Sequence, residues 1–166
     1  MKSRLAASLV LSALVLTGAT GCTFITHQAS TIPYSPSDGV NIDDTAGPLQ
    51  VRNALIVATD DGELGSLVAV IVNPTDEHAT LTVEIEGTAP VTVNVPAGRT
   101  VSLGGTDEPV RIDPLGVTPG ATVATYFQSG DATGATAEVP VLDGTLPYYE
   151  DLLPSAMPTA EAFDED

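Results

Sequence analysis

The chain has 166 residues, of which 22 are acidic and five are basic, so its formal net charge at pH 7 is −17. A surface of this sign repels phosphate backbones and anionic lipid headgroups, which excludes nucleic acid as a partner. The length fits one domain with terminal extensions, and the single cysteine excludes an intramolecular disulfide.

The first 22 residues have the pattern of a bacterial export signal. Lys2 and Arg4 precede an apolar run over residues 5–16, and the small residues 19–21 lead directly to Cys22. The run is shorter than the ~20 residues of a transmembrane helix. The segment resembles a lipobox, so we expect residues 1–21 to be removed and the Cys22 thiol to be lipidated. The alternative is an ordinary secretory signal that leaves a free exported thiol.

Lipidation at Cys22 would determine where the protein is located. The signal holds two of the five basic residues and no acid, so its removal takes the net charge to −19. Diacylglycerol on the thiol and an amide-linked chain would supply several acyl chains, each contributing about 0.8 kcal/mol per buried methylene. We therefore expect the protein at the extracytoplasmic face of the cell membrane, attached by its N-terminal lipid alone.

Residues 22–48 follow as a predicted tether. This segment is rich in Ser, Thr, Pro, Asp and Gly and has no sustained hydrophobic periodicity. Such composition is typical of flexible linkers. We expect a lipidated, flexible connection to the domain.

Period-two alternation begins at Leu49 and predicts β-strands. In the first strand Val51, Asn53, Leu55 and Val57 share one predicted face. The further predicted strands cover residues 66–72, 81–85, 91–95, 101–103, 110–112, 123–127 and 135–141. Gly, Pro, Asn and Asp separate them, and no helical pattern intervenes. We predict an all-β domain over residues 49–141: an immunoglobulin-like (cupredoxin-like) antiparallel β-sandwich of seven to eight strands, packed by branched aliphatics.

Residues 142–166 form an acidic tail that contains several prolines, and we expect it to be partly disordered. The tail has one apolar cluster, which we call the C-terminal cluster: Tyr148, Tyr149, Leu152 and Leu153. Two interpretations remain open. The cluster folds back on the sandwich, or it is an amphipathic peptide that docks on a partner.

The chain has no sequence signature of catalysis. It lacks the G-x-S-x-G, H-E-x-x-H and phosphate-loop motifs, so we predict no enzyme activity and no cofactor. Acidic clusters at residues 43–44, 60–63 and 107–108 invite a calcium interpretation, because that ion prefers oxygen ligands. None has the spacing of a calcium loop, and each falls in a predicted turn, so we favour solvated turn carboxylates.

A set of short motifs lies between residues 49 and 141. They are residues 68–73, Leu81, residues 95–98 (Val-Pro-Ala-Gly), Gly104 and Gly105, Pro119 and Gly120, Phe127, and residues 139–141 (Val-Pro-Val). In this order they resemble the periplasmic copper chaperone (PCuAC-type) family and its actinobacterial lipoprotein relatives, and the resemblance covers residues 49–141. The resemblance implies a sandwich fold and, in copper-binding members, a Cu(I) site of two histidines and two methionines that supplies cytochrome oxidase.

The copper ligands that the resemblance implies are missing here. The resemblance implies that the family's first histidine falls near Asn94, in the strand of residues 91–96, and that residues 106–109 stand where the family has its His-x-Met pair. His78 falls in the turn between the second and third strands, whereas His27 lies in the tether and Met157 in the tail. Cu(I) sites need several convergent soft or imidazole donors, so we predict no metal site and interpret His78 as a turn residue. His27, His78 and Met157 together are the alternative ligand set.

Two functions follow as hypotheses. The first is a non-catalytic, membrane-anchored lipoprotein that binds a protein partner as an accessory module, for example in a membrane or respiratory complex. The C-terminal cluster is its candidate partner-binding surface. The second is a copper chaperone with an unorthodox metal site.

Overall fold

The computed structural model describes residues 4, 6–8, 10–13, 35 and 37–154. Residues 4, 6–8 and 10–13 are helical, and there the Ser8 hydroxyl donates to the carbonyl oxygen of Arg4 over 2.7 Å. Within the described residues, no helix has the length and apolar character needed to cross a membrane. Cys22, His27 and Met157 lie outside the described residues.

Eight strands form the domain, which confirms the predicted all-β class and strand count. They are β1 Gln50–Ala58, β2 Gly65–Val72, β3 Ala79–Ile85, β4 Val91–Val95, β5 Thr100–Leu103, β6 Val110–Ile112, β7 Thr122–Ser129 and β8 Ala135–Leu142. Strands β3 and β7 alternate buried with more exposed residues, as in β3, where Leu81, Val83 and Ile85 are buried. This period-two pattern is the local signal that the sequence predicted.

The strands follow the order β4-β3-β7-β8-β1-β2-β5, and β6 pairs with the other end of β2. All pairs are antiparallel except one: the end of β8 runs parallel to β1, with Val141 opposite Ile56 and Leu142 opposite Val57. The wholly antiparallel prediction is therefore wrong at this pair. Because β8 pairs with β7 along most of its length and with β1 at its end, it joins the two layers of the sandwich.

A single aliphatic core lies between the layers. Its largest fully buried side chains include Phe127, Leu49, Ile56, Leu67, Ile71, Leu81, Val83 and Val95. Phe127 is the one aromatic residue in this core. The prediction of a core packed by branched aliphatics is confirmed.

Strand β1 departs from the predicted alternation at Asn53. This residue has a positive φ of 52°, and the pairing with β2 shifts register between Arg52 and Leu55. Such a bulge inserts one extra residue, so the residues after it point to the face opposite the one that strict alternation predicts. Ala54 and Ile56 consequently point into the main core, while Leu55 and Val57 lie buried on the other face.

The last part of the predicted tether belongs to the folded domain, which corrects the boundary at residue 48. Val40 and Ala54 exchange two backbone hydrogen bonds, and the Ile42 amide donates to Val51 over 3.0 Å. Ile42 and Ala46 are buried in the main core. These contacts extend the β1 edge by a short strand-like segment, which a Ser- and Pro-rich composition does not reveal.

Candidate functional site

The turn between β2 and β3 is organised by Asn73, a buried side chain. Its Nδ2 donates to the carbonyl oxygens of Glu77, Val95 and Pro96 over 2.8, 3.0 and 3.2 Å. Its Oδ1 accepts from the Thr75 amide and hydroxyl over 3.0 and 2.7 Å. The amide group is thus saturated by the polar groups of two neighbouring turns, which makes Asn73 a structural residue.

His78 lies in this turn and is exposed. It lines an open groove of about 760 Å³ together with Asp76, Glu77, Thr80 and Gln128. In residues 37–154 and the described helical residues, no three His, Cys, Asp or Glu side chains are placed to hold one metal ion. His27 and Met157, the other members of the alternative ligand set, lie outside the described residues.

The residues at the positions where the sequence resemblance implies copper ligands make local hydrogen bonds. Asn94, exposed on β4, accepts from the hydroxyl of Thr80 on β3 over 2.8 Å. Asp107 accepts from the Ser102 amide over 2.8 Å, and its own amide donates to the Ser102 carbonyl oxygen over 3.0 Å. These side chains close a strand pair and a turn, respectively.

The other acidic pairs have the same local role. Asp43 accepts from the Thr45 amide over 2.9 Å, and this backbone bond lowers the pKa of the Asp43 carboxyl. Asp61 accepts from the Thr59 hydroxyl over 2.6 Å and the Glu63 amide over 3.0 Å, which lower its pKa in that order. The prediction of turn carboxylates is confirmed at these residues.

The C-terminal cluster folds back on the sandwich, the first of the two interpretations. Residues Pro147–Glu150 form a short helical turn, and Tyr149 packs on Leu55 and Val57. Val68, Leu142, Leu152 and Leu153 complete a second, smaller apolar cluster. The bulge at Asn53 creates this second apolar face of β1, and the tail covers it.

Only part of the C-terminal cluster is therefore accessible, which corrects its prediction as one partner-binding surface. Tyr149 is 7% exposed, and Leu152 and Leu153 are half-buried, whereas Tyr148 is 62% exposed. The two rings meet edge to face with centroids 4.5 Å apart. Of the four predicted residues, Tyr148 presents its side chain to solvent.

A hydrogen bond joins the tail to the start of the domain. The Tyr149 hydroxyl donates to Asp38 Oδ2 over 2.6 Å. Burial raises the pKa of Tyr149 well above its usual range, and the hydrogen bond to Asp38 and the charge of that carboxylate raise it further. The phenol therefore stays protonated and remains a donor.

A cavity of about 310 Å³ opens beside this bond. It is lined by Asp38, Gly120, Leu142, Asp143, Leu146 and Tyr149. Leu146 is 46% exposed and lies two residues before Tyr148. The cavity thus combines apolar walls with two carboxylates.

Sequence reasoning found Tyr148 and Tyr149 but missed Asp38 and Leu146. Asp38 lies in the predicted tether, where no periodic pattern singles it out. It meets Tyr149 across a separation of 111 residues. Leu146 precedes a proline in the predicted tail, and its exposure depends on how that tail packs.

No protein-family model and no curated protein matches this chain. Several solved structures are similar to it, among them three PCuAC domains. The apo PCuAC domain from PmoF1 has 18% identity and a TM-score of 0.49, covering 61% of this chain and 97% of that one. The copper-bound PCuAC domain from PmoF2 has 15% identity and a TM-score of 0.46, covering 59% and 95%. The apo PmoF2 PCuAC domain has 14% identity and a TM-score of 0.49, covering 64% and 97%. These neighbours are of the same domain type as the family whose motifs the sequence resembles.

Proposed function

We propose that this protein is a non-catalytic, lipid-anchored extracytoplasmic module that binds a protein partner through the turn at residues 146–148. One observation carries the proposal. Among the described residues after the helical N-terminal segment, the exposed large hydrophobic side chains are Leu146 and Tyr148. Both lie in one turn, and Leu146 lines the cavity. Exposed apolar groups that cluster beside a cavity mark interaction sites more often than scattered ones.

The position of the turn suits partner binding. Tyr149 and the half-buried leucines of the tail anchor it to the sandwich, so Leu146 and Tyr148 are held in place before any partner arrives. A preformed surface binds at lower entropic cost than a flexible peptide. Tyrosine is also enriched at binding hot spots because its ring is large and its hydroxyl tolerates water.

The non-catalytic part of the proposal is supported by the roles of the acidic side chains. Asp43, Asp61 and Asp107 accept hydrogen bonds from donors of their own turns. These local bonds lower the pKa of the Asp43 and Asp61 carboxyls and give both side chains a role within their own turns. The membrane anchor rests on Cys22 and the signal that precedes it.

Site-specific photocrosslinking tests the proposal. A photoreactive phenylalanine analogue is placed at Tyr148, in the full chain and in the producing cell. The matched control places it at Thr92, which is exposed on β4. We expect one discrete protein adduct from position 148 that Leu146→Ser abolishes, and none from position 92. Absence of an adduct at 148, or the same adduct at both positions, would contradict the proposal.

A further inference from the structure

We propose that the cavity beside Leu146 receives a lysine or arginine side chain of the partner protein. This inference rests on the proposed function and specifies the chemistry of the partner. The walls of the cavity include Leu142, Leu146 and the ring of Tyr149, and Asp38 and Asp143 add carboxylates. Lysine and arginine have the complementary form, because an apolar stem carries a cationic head.

Both carboxylates keep free acceptor capacity. Asp38 Oδ2 accepts from Tyr149, and Asp143 Oδ1 accepts from the Thr145 amide over 3.1 Å. An ionised carboxylate has about four acceptor positions, so the bond from Tyr149 to Asp38 and the bonds from Thr145 to Asp143 leave positions available on each carboxylate. The hydroxyl and amide of Thr145 hold the pKa of Asp143 below its usual range, which keeps this carboxylate charged at neutral pH.

The domain's own arginines do not line this cavity. Arg52 pairs with Asp44 over 3.3 Å, and Arg111 pairs with Asp113 over 2.8 Å. The lining of the described cavity contains two acids and no basic residue. The charge of the site therefore favours a cation supplied from elsewhere.

The segments on either side of residues 35–154 contain no Lys or Arg that follows the predicted signal. Residues 22–34 contain no Lys or Arg, and residues 155–166 contain four acids and no base. A second copy of the chain without its signal would offer Arg99, since Arg52 and Arg111 already have acidic partners. Such a copy carries the same large negative charge and is repelled by this one. We assign the cavity to a basic side chain of a different protein on that ground.

A small-molecule titration tests the chemistry directly. The signal-free chain with Cys22→Ser is labelled with ¹⁵N and titrated with n-pentylammonium, which reproduces a lysine stem and head. Parallel titrations use 1-pentanol and pentanoate, which share the stem. We expect saturable amide shifts at Gly120, Asp143 and Leu146 with pentylammonium, roughly two- to fivefold weaker binding of pentanol and no binding of pentanoate.

Isosteric variants then test the carboxylates. Asp38→Asn and Asp143→Asn each keep an acceptor oxygen for the bonds to Tyr149 and Thr145. Each should weaken pentylammonium binding roughly two- to fivefold, as removal of one partly exposed charge does. The matched control, Asp131→Asn, alters an exposed acid that does not line the cavity and should leave binding unchanged.

The outcomes separate this inference from the proposed function. Equal binding of pentylammonium and pentanol, or no binding of either, would overturn the cationic assignment even in the unmodified protein. If the crosslink at position 148 survives in the Asp38→Asn/Asp143→Asn double variant, the inference fails and the proposed function stands. If pentylammonium binds the cavity but no crosslink forms at position 148, the proposed function fails. The cavity would then bind free cations and not a partner's side chain, which contradicts the inference.

Discussion

The Tyr149 hydroxyl donates to Asp38 Oδ2 over 2.6 Å and so fastens the tail to the start of the domain. We expect Tyr149→Ala to lower the free energy of unfolding by about 3–5 kcal/mol, because it removes a buried ring. Tyr149→Phe keeps the ring and should lose about 1.5–3 kcal/mol, the typical contribution of a hydrogen bond to a charged group. Denaturant unfolding measures both changes.

Tyr148→Ala is the matched control, since its ring is exposed beside that of Tyr149. It should change stability by no more than about 0.5 kcal/mol. Equal losses at positions 148 and 149 would show that the tail is not anchored by Tyr149.

The same tyrosine predicts a dependence on alkaline pH. Its pKa in the folded protein is raised above the unfolded value of 10.0. Above about pH 10 the unfolded chain therefore loses a proton that the folded protein retains, and stability falls as pH rises. We expect the stability difference between the wild type and Tyr149→Phe to be constant below pH 9 and to shrink above pH 10. A difference that grows with pH would contradict the assignment.

Asn73 should be far more sensitive to substitution than the exposed residues around it. Asn73→Ala leaves the carbonyl oxygens of Glu77 and Val95 without their side-chain donor. We expect a loss of about 2–4 kcal/mol in unfolding experiments. Asn94→Ala and His78→Ala alter exposed side chains and should cost no more than about 0.5 kcal/mol. A large loss of stability in His78→Ala with a small loss in Asn73→Ala would contradict our assignment of Asn73 as the residue that organises this turn.

Copper binding provides a test of the alternative function. Asn94 and Asp107 occupy the positions that match family ligands, and both make local hydrogen bonds. We expect the signal-free chain with Cys22→Ser to lose a competition for Cu(I) against a chelator. A one-to-one complex that survives the chelator and disappears in His78→Ala would establish copper handling instead.

We expect membrane association to depend on Cys22. Because the predicted lipid is the proposed anchor, Cys22→Ser should either release the protein or leave an unprocessed precursor. Fractionation and the mass of the N-terminal peptide distinguish these products from the lipidated form. Membrane retention of the variant equal to that of the wild type would refute the lipoprotein prediction.

The strands and most of the core could be predicted from the sequence, because alternation over a few residues is a local property. Leu81, Val83 and Ile85 face the core as their period-two spacing predicts. Turn carboxylates were equally predictable, since Asp61 meets partners within two residues.

The contact between the two ends of the domain could be identified only from the folded structure. The positive φ of Asn53 accompanies bonds to Gly39 and Asn41, and the resulting bulge gives β1 a second buried face. That face is covered by Tyr149, which reaches Asp38 across 111 residues of chain. Contacts between segments so distant leave no periodic pattern in either one. For this reason the candidate site at Leu146 and Asp38 forms only when both ends of the domain are packed on the sandwich.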